Sequence, residues 1–264
     1  MNTMSSMPRL GKGWSQSLRR SVAILRVLAA PRANGFALVE LTRATGLPHS
    51  TVYRLLQQLC DEALVVYQSD ARRYVLGPLT FELGLAAADH CDIRAKCVQS
   101  MNSILQATQD TCYLVMRSGA DAVCIDRREG TCPIRVLTLD IGSRRPLGVG
   151  AAGLAILSGL PQDEVIEIIE NNAERLQPFN RLNTQLVAAH VEETRSRGFA
   201  VSGNWVTLGV TGIGVPLNDA SGRPFGALSL SAVNHRMLEE RWDEIVGILR
   251  SEAKRIQNIL LNGT

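Results

Sequence analysis

The sequence predicts an α+β protein in two parts. A small N-terminal part holds three helices and a hairpin. A larger second part holds a mostly antiparallel, curved sheet flanked by helices. Three observations predict this. First, residues 15–61 show three helical patterns split by Pro31, Asn34-Gly35 and Gly46, and two short strands follow. Second, from about residue 93 helices mix with hairpin-linked strand patterns, the mark of an α+β domain. Third, the charge is uneven. Residues 1–80 hold ten Lys and Arg against four Asp and Glu, whereas residues 81–264 hold eighteen against twenty-one.

Residues 1–14 are polar and Gly-rich and are expected to form a flexible tail. They contain no apolar run of the signal-peptide type. No stretch approaches 18 uninterrupted apolar residues, so no membrane span is expected and a cytoplasmic protein is. Six cysteines in 264 residues are too few for a disulfide scaffold, and none forms a C-x-x-C pair.

The first helix, 15–30, spaces Leu18, Val22, Leu25, Val27 and Leu28 near helical period, with arginines between them. A short second helix, 38–44, stops at Gly46. Pro48 suits the first turn of a third helix, which runs to about Asp61. Strands at 65–68 and 73–76 flank the polar turn Ser69-Asp70-Ala71-Arg72. Helices joined by a tight Gly turn and followed by a hairpin form the order of a winged helix-turn-helix. That unit is assigned to 15–78, with a linker helix at 79–92.

On the third helix, Val52, Leu55, Leu56 and Leu59 form one apolar stripe. The opposite face carries Ser50, Arg54 and Gln57, edged by Thr51 and Tyr53, and has no acid. Arginine can pair with guanine and glutamine with adenine in the major groove, while hydroxyls suit phosphates. His49 and Pro48 at the helix start, Arg43 before the turn, and Arg72 and Arg73 at the hairpin tip complete the candidate surface for double-stranded DNA. Glu40 is the one acid in residues 1–60, where eight bases stand. The plainer alternative is an ordinary solvated basic face.

The larger part is assigned to 93–264. A helix is expected over 93–109, with strands at 112–117, 122–127 and 134–138. The segment 148–160, GVGAAGLAILSGL, carries too little bulk in its first turn for an ordinary core helix. Helices follow from Pro161 and over 183–197. Strands are expected at 199–202, 210–217 and 224–232, and a helix over 238–261 closes the chain. The sequence holds two enzyme-like groupings, Cys124 with His190 and the trio His90, Cys91 and Cys97. Neither carries the flanking motif that a nucleophile or a metal site needs. No phosphate loop or dinucleotide fingerprint is present, and no cofactor is expected.

Over about residues 15–260 the chain resembles the IclR family of bacterial transcriptional regulators. The resemblance is carried by SQSLRRSVAILRVLA, LVELTRATGLPHSTVYRLLQQL, RRYVLGP, GSRRPLGVGAAGLAILSGLP, RSRGFAV and GVTGIGVPLNDASGRPFGALSLSA. It implies a winged helix followed by a GAF-like effector-binding domain. It also implies a homodimer or homotetramer on operator DNA, with no catalytic role. Carried onto this chain, the family's effector pocket falls at Ala151, Ala152, Ser202, Gly212, Ser229 and Ser231. Ser229 and Ser231 are two apart on a strand and so share a face. The acidic residue that many members carry near 202–205 is replaced by Ser202-Gly203-Asn204-Trp205. A pocket with fewer charges and a nearby indole leans toward a small, partly apolar or aromatic organic acid. The alternative is a small-molecule-binding enzyme with an accessory basic N-terminal domain.

Overall fold

The computed structural model describes residues 16–91, 93–179 and 181–262. The tail expected at 1–14 lies outside them. The chain divides into two compact units, Met1–Cys91 and Asp92–Thr264.

In the first unit, α1 (Gln16–Leu28), α2 (Leu38–Thr45) and α3 (His49–Asp61) precede the antiparallel hairpin β1 (Val65–Gln68) and β2 (Arg73–Leu76). Gly46 ends α2 at φ 66°, where its N–H donates to the Thr42 carbonyl. A side chain disfavours that left-handed conformation, so glycine makes the tight turn into α3. The expected stripe Val52, Leu55, Leu56 and Leu59 is buried with Ile24, Leu28, Leu41, Val65 and Tyr74. The seam of α1 differs from expectation. Ile24 and Leu28 are its buried residues, and Leu18 is 55% exposed. Of the expected stripe, Leu28 is buried and Leu25 and Val27 pack against the core, while Ile24 joins them and Leu18 turns outward. The helix α4 (Pro78–Cys91) follows directly.

The second unit begins with α5 (Ile93–Thr108), β3 (Thr111–Ser118), β4 (Asp121–Arg128) and β5 (Arg144–Pro146). Then come α6 (Gly150–Ser158), α7 (Gln162–Asn171), α8 (Thr184–Arg197), β6 (Ala200–Ser202), β7 (Val210–Asn218), β8 (Pro224–Val233) and α9 (Trp242–Asn262). Among the described residues the strands form an antiparallel sheet in the order β5-β4-β3-β8-β7-β6. Alternation along each strand splits two cores. Cys112, Leu114, Ile213, Val215, Leu228 and Leu230 face Met101 and Ile104 of α5 and Ile245 and Leu249 of α9. Tyr113, Val115 and Ala227 face α6, α7 and α8.

Three expectations need correction. Residues 134–138 form no strand; the edge strand is β5, ten residues on. Side chains satisfy the 134–139 backbone instead of a ladder. The Tyr113 hydroxyl donates to the Val136 carbonyl at 2.7 Å and accepts from the Thr138 N–H at 3.0 Å. Arg127 donates to the Leu139 carbonyl at 3.0 Å. Second, the small-residue segment is a core helix: α6 is buried from Ala151 to Ser158. Its small first turn permits close approach to the sheet. A Cβ on Gly214 of β7 would lie 2.6 Å from the Ala151 carbonyl oxygen. Third, α9 starts at Trp242 rather than 238, after a 3-10 turn at Glu239–Arg241.

Candidate nucleic-acid interface and effector cavity

The helix α3 turns its apolar stripe inward and leaves Ser50, Tyr53, Arg54 and Gln57 exposed, with Thr51 partly covered. Pro48 stands at the helix N-cap with φ −56°, and His49 opens the first turn; both are exposed. Pro48 lacks an N–H, and no acid occupies the first turn, so this end keeps its positive dipole. Arg43, in the last turn of α2, is exposed too. Neither Arg43 nor Arg54 has an acidic partner among the described residues.

Glu40 is already engaged inside the unit. It accepts from the Ala37 N–H at 2.8 Å and pairs with Arg32 at 2.7 Å and Arg73 at 3.0 Å. The Ala37 N–H, then the Arg32 guanidinium, hold its carboxyl below the usual range. The pairing separates the two hairpin arginines. Arg72 is exposed at the tip with φ 53°. Arg73 is half-buried, bonds the Gly35 carbonyl at 3.0 Å and ties the hairpin to α2. The sequence placed both at the tip; the structure leaves only Arg72 free there.

The second site is a cavity of about 40 Å³ between the sheet and the start of α6. Ala151, Ala152, Ser202, Ser229 and Ser231, all expected from the sequence, line it. Register explains the grouping. Ser202 lies opposite Gly212, Gly212 opposite Ser231, and Ser229 opposite both Tyr113 and Gly214. Gly212 itself is not a wall. A Cβ there would stand 3.0 Å from Ser202 Oγ and 3.2 Å from Ser231 Oγ, so its missing side chain leaves room for the two hydroxyls.

Sequence reasoning missed the other wall, made by Tyr113, Cys124, Thr138, Leu139 and Arg145. Arg144 and Arg145 are adjacent on β5 and point to opposite sides. Arg144 pairs with Asp121 at 3.0 Å. Arg145 lines the cavity, donates to the Thr138 carbonyl and lies 5.8 Å over the Phe179 ring. It has no carboxylate partner among the described residues, and burial pulls its pKa below the ordinary value. The cavity therefore carries a charge that sequence reasoning had not placed there. The indole is nearby without forming the wall: a Cβ on Gly203, which lines the cavity, would lie 3.7 Å from Trp205 Nε1. Trp205 does not line the cavity; its ring stacks on His190 at 3.5 Å and 12°.

The enzyme-like groupings do not assemble. Burial pushes the Cys124 thiol up to about 11, and it donates to the Asp126 carbonyl. His190 spends its ring on Trp205 and its Nδ1 on Glu193 at 3.2 Å. Cys97 is buried, with a thiol pushed up to about 12, while the side chains of His90 and Cys91 lie outside the described residues. Among the described residues no three His, Cys, Asp or Glu side chains could hold a metal ion. No described helix is long and apolar enough to cross a membrane.

Two family models match the chain. Residues 17–69 match the IclR helix-turn-helix domain, and residues 85–258 match the bacterial transcriptional regulator IclR C-terminal domain. The HTH-type transcriptional repressor AllR of Salmonella paratyphi A is 28% identical over 255 residues, covering 96% of this chain and 92% of that protein. Its counterpart in Escherichia coli K12 is 26% identical, covering 93% and 90%. Among solved structures, a putative IclR regulator from Silicibacter sp. TM1040 superposes with a TM-score of 0.79 at 21% identity, covering 92% of this chain and 96% of that one. An IclR homologue from Microbacterium hydrocarbonoxydans, complexed with 4-hydroxybenzoate, superposes with a TM-score of 0.68 at 19% identity, covering 94% and 100%.

Proposed function

Because the chain belongs to the IclR family of bacterial transcriptional regulators, we propose that it reads a cytoplasmic operator through α3 and the tip of its hairpin, under the control of a small organic acid held in the cavity. The observation that carries the DNA part is the exposed face of α3. Ser50, Arg54 and Gln57 present donors and acceptors with no acid among them, and Glu40 of α2 is neutralised by two arginines. Arg54 and Gln57 would read base edges, with Tyr53 beside them. Pro48, His49, Ser50, Thr51, Arg43 and Arg72 would sit against phosphates. Arg73 serves this surface indirectly, by holding the hairpin on α2.

The protein acts as a homodimer or homotetramer on a duplex with two half-sites, one helical turn or a multiple apart. Its own surface supports this. Phe81, Leu83 and Leu85 of α4 are 68%, 56% and 56% exposed, and Leu18 of α1 is 55% exposed. Phe81 and Leu85, four apart on α4, share a side, and exposed apolar helix surface of this kind is ordinarily covered by another surface. The acid acts through unequal affinity for two arrangements of the assembly, one of which holds the α3 helices at operator spacing. The bound 4-hydroxybenzoate of the Microbacterium homologue supports an organic acid as the effector class.

The test is binding of the full chain to a duplex from upstream of its own gene, measured by fluorescence anisotropy. Arg54→Ala is expected to weaken specific binding by about 1–3 kcal/mol if it reads a base. An unchanged affinity would remove Arg54 from the interface. Absence of sequence-specific binding by the wild-type chain would overturn the operator assignment.

A further inference from the structure

The hairpin meets α3 along an aromatic seam. Val65 and Tyr67 alternate onto one face of β1, the face turned to the N-terminal core. Val65 is buried there, but Tyr67, two residues nearer the tip, runs past the core and is 47% exposed. Tyr74 is its partner across the hairpin. The Tyr74 N–H and carbonyl are both spent on Phe36, at 2.8 and 2.9 Å. Tyr67 and Tyr74 therefore form the close, non-hydrogen-bonded kind of cross-strand pair. Their rings stand 4.9 Å apart, tilted by 44°.

A third ring comes from α3. Tyr53 is 49% exposed and precedes Arg54. Tyr74 is buried, and that burial, then the neighbouring Cys60, Tyr67 and Tyr53, raises the pKa of its hydroxyl. Two exposed phenols thus converge on one buried phenol, one from the helix and one from the hairpin. The arrangement is tied down, because the Tyr67 backbone hydrogen-bonds the Cys60 sulfur of α3. Neither exposed hydroxyl makes a hydrogen bond among the described residues. Each phenol offers an apolar ring for packing and an O–H to donate.

Position decides what covers this seam. It continues the exposed face of α3 that carries Ser50, Arg54 and Gln57 toward Arg72 at the hairpin tip. A duplex with α3 in its major groove carries a sugar–phosphate strand across the step between helix and hairpin. The phenols themselves are neutral. Arginines flank them at 54 and 72, and acids at 61 and 70, so no excess of positive charge draws a phosphate there. Hydroxyl donors serve a phosphate oxygen without one.

We propose that Tyr67 and Tyr53 hold one strand of the operator between the hairpin and α3, each donating its hydroxyl hydrogen to a phosphate oxygen. This rests on the operator reading and adds to it a contact from β1 and a role for both phenols. No bond is made or broken.

Fluorescence anisotropy of the full chain with a duplex from upstream of its own gene tests it. Tyr67→Phe and Tyr53→Phe keep the rings and remove the hydroxyls. Both side chains are half-exposed, so the thermal midpoint by circular dichroism is expected to match wild type. Each variant is expected to weaken binding about tenfold, the size of one hydrogen bond to a charged acceptor. A phenol displaces no counter-ion, so the slope of log affinity against log salt stays at its wild-type value. Arg72→Ala, by contrast, flattens that slope by about one. Duplexes carrying one neutral methylphosphonate at a time then locate the contact. At one linkage the replacement weakens wild type more than it weakens Tyr67→Phe, because the variant has already lost its partner there. Phe variants that bind as wild type does, a changed salt slope, or a Tyr67→Phe loss equal on every methylphosphonate duplex would each overturn the proposal. If wild type itself binds no duplex, the operator reading fails and this contact with it. If wild type binds and the Phe variants match it, the contact alone fails.

Discussion

Arg54 and Arg145 are the same side chain put to opposite use. Arg54 stands exposed on a helix face with no ion pair to an acid among the described residues. Its charge costs nothing to keep and is available to a large polyanion. Arg145 is half-buried in a cavity of about 40 Å³, and burial pulls its pKa down. Its charge is held at a cost that a small anion offsets. Exposure suits a partner that is a surface, and enclosure suits one that is a molecule. In each unit the neighbouring acids are engaged by other arginines: Glu40 by Arg32 and Arg73, Asp121 by Arg144 and Arg175. Arg54 and Arg145 are among the arginines those acids leave unpaired.

Separate cores offer the strongest way to break the comparison. Leu56 is fully buried in the N-terminal core. Leu56→Ala is expected to destabilise that unit by about 2–5 kcal/mol. Thermal denaturation followed with and without a small organic acid checks it. DNA binding should fall at temperatures where acid binding persists, and a joint loss of both would show that the units do not unfold independently.

The converse change fills the cavity. Replacing Ser229 and Ser231 together with Leu puts two larger side chains into it, and overpacking of this kind costs about 1–3 kcal/mol. Operator binding should survive while its response to acid disappears. A normal response in that double variant would place the effector elsewhere.

The smallest expected effect concerns Glu40, whose carboxyl titrates below its ordinary value because of the Ala37 N–H and Arg32. A depressed carboxylate contributes stability above its unfolded pKa and loses it as pH falls through the folded one. Glu40→Gln should therefore lower the melting midpoint of the N-terminal unit at neutral pH. The difference should shrink as pH drops below the ordinary carboxylate range. A difference independent of pH would show that the Glu40 charge, with its Ala37 and Arg32 partners, does not contribute to the unit's stability.

Much of the DNA-facing unit was legible because its signals are local. The α3 stripe has helical period, Gly46 marks its turn, and the hairpin alternates around Ser69–Arg72. The serine wall of the cavity was legible too, since Ser229 and Ser231 share a strand face by period two. Other assignments failed where the partner is distant in the chain. Residues 134–138 have a strand's composition, yet Tyr113 and Arg127 satisfy their backbone, and β5 takes the sheet edge. Arg73 reads as a tip residue until Glu40, 33 positions away, claims it. Trp205 reads as an indole near the pocket, and its stacking on His190 is what keeps it out of the wall.

By itself, the sequence determined the helices and hairpin of the N-terminal unit, most of the later helices and strands, where the basic part lies and which strand carries the hydroxyls. These follow from periodicity and composition, which act over a few neighbouring residues. Only the tertiary structure decided which of two adjacent arginines enters the cavity and how small that cavity is. The first depends on the register of β5 against β4, some twenty residues away, and the second on the approach of α6 to β7 over Gly214, some sixty residues away.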